Sequence, residues 1–203
     1  MKKILVATTN LHKLAEIKAI FAQEGMADWQ IVSLADYPQY AAPEENGKSF
    51  AENAMLKAID AAKMSGLLTL ADDSGLTVDA LDGAPGIHSA RYAVSDGFDH
   101  NDAANRAKLL SALADTEDEN RTAAFVCAAA LATPDGDAVF IEGCCEGVIA
   151  KAERGANGFG YDSLFYLPRL GRTMAELDSK EKNGLSHRSI AMRKIAGLLN
   201  CDQ

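Results

Sequence analysis

The chain lacks any apolar run approaching the roughly 20 residues that a membrane-spanning helix requires. The apolar run near its start, in MKKILVATTN, is too short for a secretory leader and breaks into polar Thr8-Thr9-Asn10, so it reads as a first strand. Cysteine is scarce, and Cys127, Cys144, Cys145 and Cys201 show no CxxC spacing. That argues against a structural zinc site and for reduced, mostly buried thiols in a cytoplasmic protein. Positive charge is in the minority, with 20 Lys and Arg against 29 Asp and Glu and a net charge of −9. Such a balance speaks against a nucleic-acid partner, whose binding surface would be basic. It leaves room for a small anion, because a local cluster of Lys and Arg outweighs the global sign at short range. Three signatures are also missing: the GxxxxGK[ST] phosphate loop, the GxGxxG dinucleotide fingerprint and the GxSxG nucleophile elbow.

What is present is 203 residues, 48% hydrophobic and 24% charged, which fits one domain over 1–203 with a sizeable core. Residues 4–7 read as a buried strand. Leu11, Leu14, Ile17, Ile20 and Phe21 recur at helical spacing and predict a helix over 11–24, with Asn10 as its cap and Gly25 as its stop. Residues 30–34 read as a short strand and 35–48 as a loop. Ser49 and Glu52 have the spacing of a capping box, opening a helix that Gly66 ends. Residues 67–71 read as a strand that delivers Asp72 and Asp73 at its C-terminal end. A turn-rich loop at 83–91 and a helix at 101–114 follow. Residues 121–133 and 137–150 flank Pro134-Asp135-Gly136, a hairpin signal. A glycine-rich loop at 155–160, a short strand near 163–166 and a last helix capped by Ser186 complete the chain. Strands alternating with helices, plus one long hairpin, predict an α/β fold with a mixed sheet. Ligands then bind in the loops beyond the strand ends.

Five groups of residues fall in such loops. Thr8-Thr9-Asn10-Leu11-His12-Lys13 spans a strand end and a helix start, where backbone N–H groups and a lysine attract anions; a capped surface helix has the same pattern. Glu44-Glu45 precede a helix on which Asn53 and Lys57, four residues apart, share a face. Asp72-Asp73-Ser74-Gly75 pairs two like charges, which a cation would offset, although a polar turn uses the same residues. Mg²⁺ takes one or two carboxylates plus waters and phosphates, and the same carboxylate can orient or deprotonate water. Gly158-Phe159-Gly160-Tyr161-Asp162 combines close backbone approach, flat rings for a base and an acceptor for a base edge; a tight turn with core aromatics is the alternative. Lys182 and Ser186-His187-Arg188 put potential cations in a first helical turn, where the dipole disfavours them unless an anion or a polar base edge is bound.

Five ordered blocks then stand out: TTNLHKLAEI at 8–17, GKSFAENAMLKA at 47–58, ADDSGLTVDALDGAPGIHSARYA at 71–93, GFGYDSLF at 158–165 and EKNGLSHR at 181–188. Together they resemble the inosine/xanthosine triphosphate pyrophosphatase family over nearly the whole chain. The resemblance implies a two-lobed single domain with a long mixed β-sheet flanked by helices, and a homodimer. It implies Mg²⁺-dependent hydrolysis of the purine nucleoside triphosphates dITP, ITP and XTP to monophosphate and pyrophosphate, cleansing the nucleotide pool. By the same resemblance Thr8, Thr9, Asn10, Leu11, His12 and Lys13 form the triphosphate loop, and Lys57 faces a phosphate. Glu45 and Asp73 are the metal-linked acids, with Asp73 the catalytic proton acceptor. Ser74 contacts substrate, and Phe159, Gly160, Tyr161, Asp162, Lys182, His187 and Arg188 recognise the base.

One block departs from the family pattern. The first loop is usually TGNxGK, and here Thr9 and His12 replace its two glycines. If those positions need positive φ, the loop must adjust. Three other readings stay open: a phosphatase using Asp72 or Asp73 as phosphoryl acceptor, a non-catalytic nucleotide sensor, and an enzyme for modified pyrimidine triphosphates.

Overall fold

The computed structural model describes residues 1–97 and 101–201, so the expected span 1–203 extends beyond the described residues at 98–100 and 202–203. In chain order the elements are β1 (Lys2–Val6), α1 (Leu11–Gln23), β2 (Trp29–Ser33), α2 (Phe50–Ser65), β3 (Leu68–Val78), α3 (Asp102–Ala112), β4 (Thr122–Ala132), β5 (Ala138–Ile149), β6 (Phe165–Leu167), β7 (Arg172–Thr173), α4 (Ser179–Leu185) and α5 (His187–Cys201). The strands form one mixed sheet in the order β2-β1-β3-β4-β5-β6-β7. β1 runs parallel to β2 and β3, whereas β6 is antiparallel to β5 and β7. The α/β fold expected from the alternation of strands and helices is the one observed. No helix among the described residues is long and apolar enough to cross a membrane.

Two compact units divide the chain: Met1–Asp73, Cys127–Gly143 and the chain from His187 onward make the first, Ser74–Val126 and Cys144–Ser186 the second. In the first unit the two-residue period of the strands sorts side chains to two helical layers. Ile4 and Val6 of β1, Leu70 of β3 and Cys127, Ala129 and Leu131 of β4 pack with Ile17, Ile20 and Phe21 of α1 and with Ala191, Met192 and Ile195 of α5. Their neighbours Leu5, Ala7, Ala71, Ala128, Ala130 and Ala132 pack with Ala51, Ala54, Ala58, Ala61 and Ala62 of α2. That second interface is nearly all alanine, so α2 lies close to the strands and has no room for larger side chains.

The second unit has its own core, from Leu76 and Val78 of β3, Phe125 of β4, Ile149 of β5, Leu109 of α3 and Leu164 and Phe165. Buried Arg121 donates to the carbonyls of Leu113 at 2.6 Å and Ile149 at 2.8 Å, closing the C-terminal end of α3.

Local signals were honoured with some adjustments. Asn10 caps α1, accepting from the His12 and Lys13 amides. Ser49 caps α2, but Glu52 reaches back to the Lys48 amide instead of that of Ser49. Gly66 ends α2 at φ 67°. Residues 133–137 form the predicted hairpin turn, with Gly136 at φ 99°. β3 is longer than expected: it continues through the acidic pair to Val78, so Asp72 and Asp73 lie inside the strand and not at its end. Short β7 and α4, the latter capped by Asp178 with Glu181 reaching back to it, carried no signal that stood out. The thiols are only half buried: Cys127 and Cys145 are inside, Cys144 and Cys201 outside, and none of the four is in a disulfide. Cys144 and Cys145 are consecutive strand residues and so face opposite ways.

Candidate active site

Asp72 and Asp73 continue the alternation that Leu70 and Ala71 begin. Asp72 faces the side of α1 and α5. Its carboxylate lies 2.9 Å from Lys13 Nζ and accepts from Arg188 Nε at 3.3 Å and Nη2 at 3.4 Å. Arg188 also donates to Glu16 of α1. Burial pushes the Asp72 carboxyl up, but Lys13, Arg188 and Lys57 outweigh it and hold the group well below the usual carboxylate range. Asp72 is therefore a fixed negative charge.

Asp73 faces α2. Asn53 Nδ2 donates to its Oδ2 at 3.2 Å, and Lys57 Nζ to its Oδ1 at 3.1 Å. Lys57 also donates to Glu45 Oε1 at 2.9 Å. The Asn53 carboxamide oxygen accepts from the Gly47 amide at 2.8 Å, tying the loop before α2 to the helix. Burial raises the Asp73 carboxyl above the usual range, and Lys57 and Lys13 only partly offset it, with Glu45 adding a like charge. Lys57 is itself held charged: burial works against its ammonium, but Asp73, Asp72 and Glu45 together raise its affinity for the proton. Two adjacent carboxyls with environments of opposite effect are the arrangement that separates a fixed charge from a group able to exchange a proton.

The first loop brings its residues to the start of α1. Thr9, Asn10, Leu11 and His12 are exposed, while Thr8 and Lys13 are half-buried. Among the described residues the only non-glycine with positive φ is Asp82, so neither Thr9 nor His12 stands where glycine is needed. His12 lies in the first turn of α1, and its substitution for glycine carries no backbone strain. Ser74 follows Asp73 in β3 and is half-buried.

A separate cluster belongs to the second unit. Asp162 Oδ2 accepts from the Phe159 amide at 2.9 Å and from Lys182 Nζ at 2.8 Å. Both ionic side chains are almost wholly buried, and the Lys182 ammonium lies 4.8 Å from the Phe159 ring centroid. Gly158, at φ 77°, is required for this: a Cβ there would stand 2.0 Å from Asp162 Oδ2. Tyr161 departs from the expectation of a ring offered to a base. It is packed into the core of its unit, and its hydroxyl donates to the Ser89 carbonyl at 2.8 Å. A phenol with an apolar body and a satisfied tip is stable there, so Phe159 is the half-buried ring of the pair.

His187 and Arg188 open α5 as expected, and both are buried. The anions that make a cation acceptable in that first turn are Asp72 and Glu16, so the Arg188 guanidinium belongs to the Asp72 network. Asn53, Glu16, Asp102 and Arg106 were not in the expected set. Only Asn53 had a sequence signal, its place four residues before Lys57. Glu16 and Arg188 are 172 residues apart, and nothing local pairs them.

The Ham1 family model matches residues 4–198. A curated relative, the dITP/XTP pyrophosphatase of Geobacillus kaustophilus, is 50% identical over 195 residues, covering 96% of this chain and 93% of that protein. The solved HAM1 protein of Coxiella burnetii superposes with a TM-score of 0.88 at 41% identity, over 98% of this chain and 99% of that one. The nucleoside-triphosphatase / dITP/XTP pyrophosphatase of Mycobacterium abscessus superposes at 0.76 with 46% identity, over 99% and 100%. The family model spans nearly the whole chain, and the Geobacillus relative matches almost all of it at 50% identity: this protein is a member of the Ham1 family.

Proposed function

We propose that this chain hydrolyses non-standard purine nucleoside triphosphates (dITP, ITP and XTP) to the monophosphate and pyrophosphate, clearing them from the nucleotide pool. The relatives carry the name of that activity. The observation that supports it most in the molecule is the contrast between Asp72, held ionised, and Asp73, whose carboxyl binds its proton more tightly than usual. In this reading residues 1–203 act as one pyrophosphatase domain, the homodimer rests on the family resemblance, and the cytoplasmic setting rests on the cysteine usage.

Water attacks the α-phosphorus, its proton passes to Asp73, and pyrophosphate leaves. A carboxyl with raised proton affinity is a better acceptor near neutral pH than an ordinary aspartate. Lys57 and Lys13 oppose the negative charge that grows on the phosphate oxygens. Asp72 and Arg188 hold Lys13 in place. Asn53 fixes the direction of the Asp73 carboxylate.

Mg²⁺ is the proposed cofactor, held by Glu45 and Asp73. The donor set fits: both carboxylates reach one cation, the Lys57 ammonium, at 2.9 Å and 3.1 Å, and both offer hard oxygens. When bound, the ion neutralises phosphate charge as a Lewis acid. For the base, a 6-oxo purine presents an acceptor where adenine presents a donor, and Lys182 and His187 are the donors proposed to read it.

Product analysis tests the reading. With dITP and MgCl₂ the expected products are dIMP and pyrophosphate, with loss of activity in EDTA and slow turnover of ATP and GTP. Release of inorganic phosphate with dIDP would replace this reading by the phosphatase. Binding without turnover would replace it by the sensor.

A further inference from the structure

Helix α3 contributes nothing to the site read from the sequence, yet one face of it holds the loop that carries Phe159. Asp102 and Arg106 are four residues apart and so lie one above the other on α3. Asp102 Oδ2 accepts from the Gly160 amide at 2.9 Å, and Arg106 Nη1 donates to the Gly160 carbonyl at 3.0 Å. Both backbone groups of one residue are thus taken by one helix. Arg106 is aimed in turn by Glu153, whose carboxylate lies 2.9 Å from Arg106 Nε and also accepts from Ser163 Oγ at 2.9 Å.

The loop needs such a hold. Gly158 and Gly160 both sit at positive φ, 77° and 60°, on either side of Phe159 in the chain. Glycine pairs leave a chain free to take many other conformations. Asp162 restrains the loop at the Phe159 amide, and α3 restrains it one residue later at Gly160. A binding-competent arrangement that is only fractionally populated weakens apparent affinity by that fraction.

We propose that Asp102 and Arg106 are positioning residues for purine selectivity: by clamping Gly160 they fix Phe159 and the Asp162–Lys182 pair in the arrangement that receives the base. The inference rests on the reading of that cluster as base-recognising. Asp73 and Lys57 are held by Asn53 and Glu45, so loss of the clamp affects binding of the base and not the chemical step. That is the signature of lost uniform binding, a raised KM at constant kcat.

Steady-state kinetics on dITP and dGTP with purified full-length variants tests it. Arg106→Ala and Asp102→Ala are each expected to raise KM for dITP roughly three- to tenfold, the scale of one or two hydrogen bonds. Their kcat stays within about twofold of the parent's and the preference for dITP over dGTP falls. Arg106→Lys, which can still donate to the Gly160 carbonyl, recovers part of the selectivity. Glu153→Gln, which keeps an acceptor for Arg106 but removes the charge that aims it, lowers selectivity less than Arg106→Ala does. Variants that lose thermal stability with kcat, KM and selectivity unchanged would overturn the proposal, as would a fall in kcat alone. A parent protein that releases no pyrophosphate from dITP would instead overturn the reading on which the proposal stands.

Discussion

Asp72 and Asp73 are consecutive residues whose carboxylates leave β3 on opposite faces, one to Lys13 and Arg188, the other to Asn53 and Lys57. A strand's two-residue period makes that separation unavoidable. It places each acid in a different helical layer, and the layers shift them oppositely. Removing the Asp72 charge strands Lys13 and Arg188, and breaking a buried pair in this way costs about 3–5 kcal/mol. Asp72→Asn is expected at the lower end, because Glu16 still pairs with Arg188. The contribution of Asp72 is present above the ordinary carboxyl value of 3.8 and is lost as pH falls from there through its depressed value. The gap between parent and variant in urea midpoint should therefore close below that pH. Asp73→Asn removes a carboxyl that folding makes harder to ionise, and Glu45 still pairs with Lys57, so at neutral pH in EDTA it should lower the urea midpoint less than Asp72→Asn does. Its dITP turnover should fall about 10²- to 10⁴-fold. A stable Asp72→Asn, or an active Asp73→Asn, would contradict the division of roles.

Restoring the family's glycine at His12 should not improve the enzyme. His12 is helical and needs no positive φ. His12→Gly is expected to lower stability by a few tenths of a kcal/mol, the difference in helix propensity, with KM for dITP no better than the parent's. Paired denaturation curves and initial rates check both.

The thiols should divide into two classes. Cys127 is buried beside Asp72, and burial with that negative neighbour pushes its thiol up to about 12. Cys145 is pushed up to about 11 by burial. Thiolate is the reactive form, so both should resist alkylation in the native state. Exposed Cys144 and Cys201 should react quickly. Timed iodoacetamide labelling read by mass spectrometry should find these two modified first, with Cys127 and Cys145 labelled only on unfolding.

Gly143 of β5 is a point of close approach. An added Cβ would stand 2.2 Å from the His187 carbonyl oxygen and 2.7 Å from the Ala191 amide nitrogen, both backbone atoms of α5. Gly143→Ala must therefore displace the start of α5, at a cost of about 1–3 kcal/mol. Since Arg188 is the second residue of that helix, KM for dITP should rise with it. Thermal melting and initial rates would show both effects, and a variant unchanged in stability would show that α5 tolerates the shift.

Much of the fold was legible because it rests on local signals. Asn10, Ser49 and Gly66 mark helix ends through hydrogen bonds and backbone angles that their own neighbourhoods set. Pro134-Asp135-Gly136 marks the hairpin for the same reason. The end of β3 was misjudged because polarity looks like a strand terminus when the partners that neutralise it are distant in sequence. Tyr161 looked like a base platform because an aromatic between glycine and aspartate gives no sign of where its hydroxyl will find an acceptor.

The sequence by itself determined most of the elements, the alternation that sends neighbouring residues to opposite faces, and the blocks that mark the Ham1 family. The tertiary structure alone decided the partners: Arg188 with Asp72 and Glu16, Asn53 with Asp73, Asp102 and Arg106 with Gly160. The physical reason is range. Capping, turn geometry and strand period act over a few residues, whereas the charge of a buried carboxyl depends on which cations the folded chain places within a few ångströms of it.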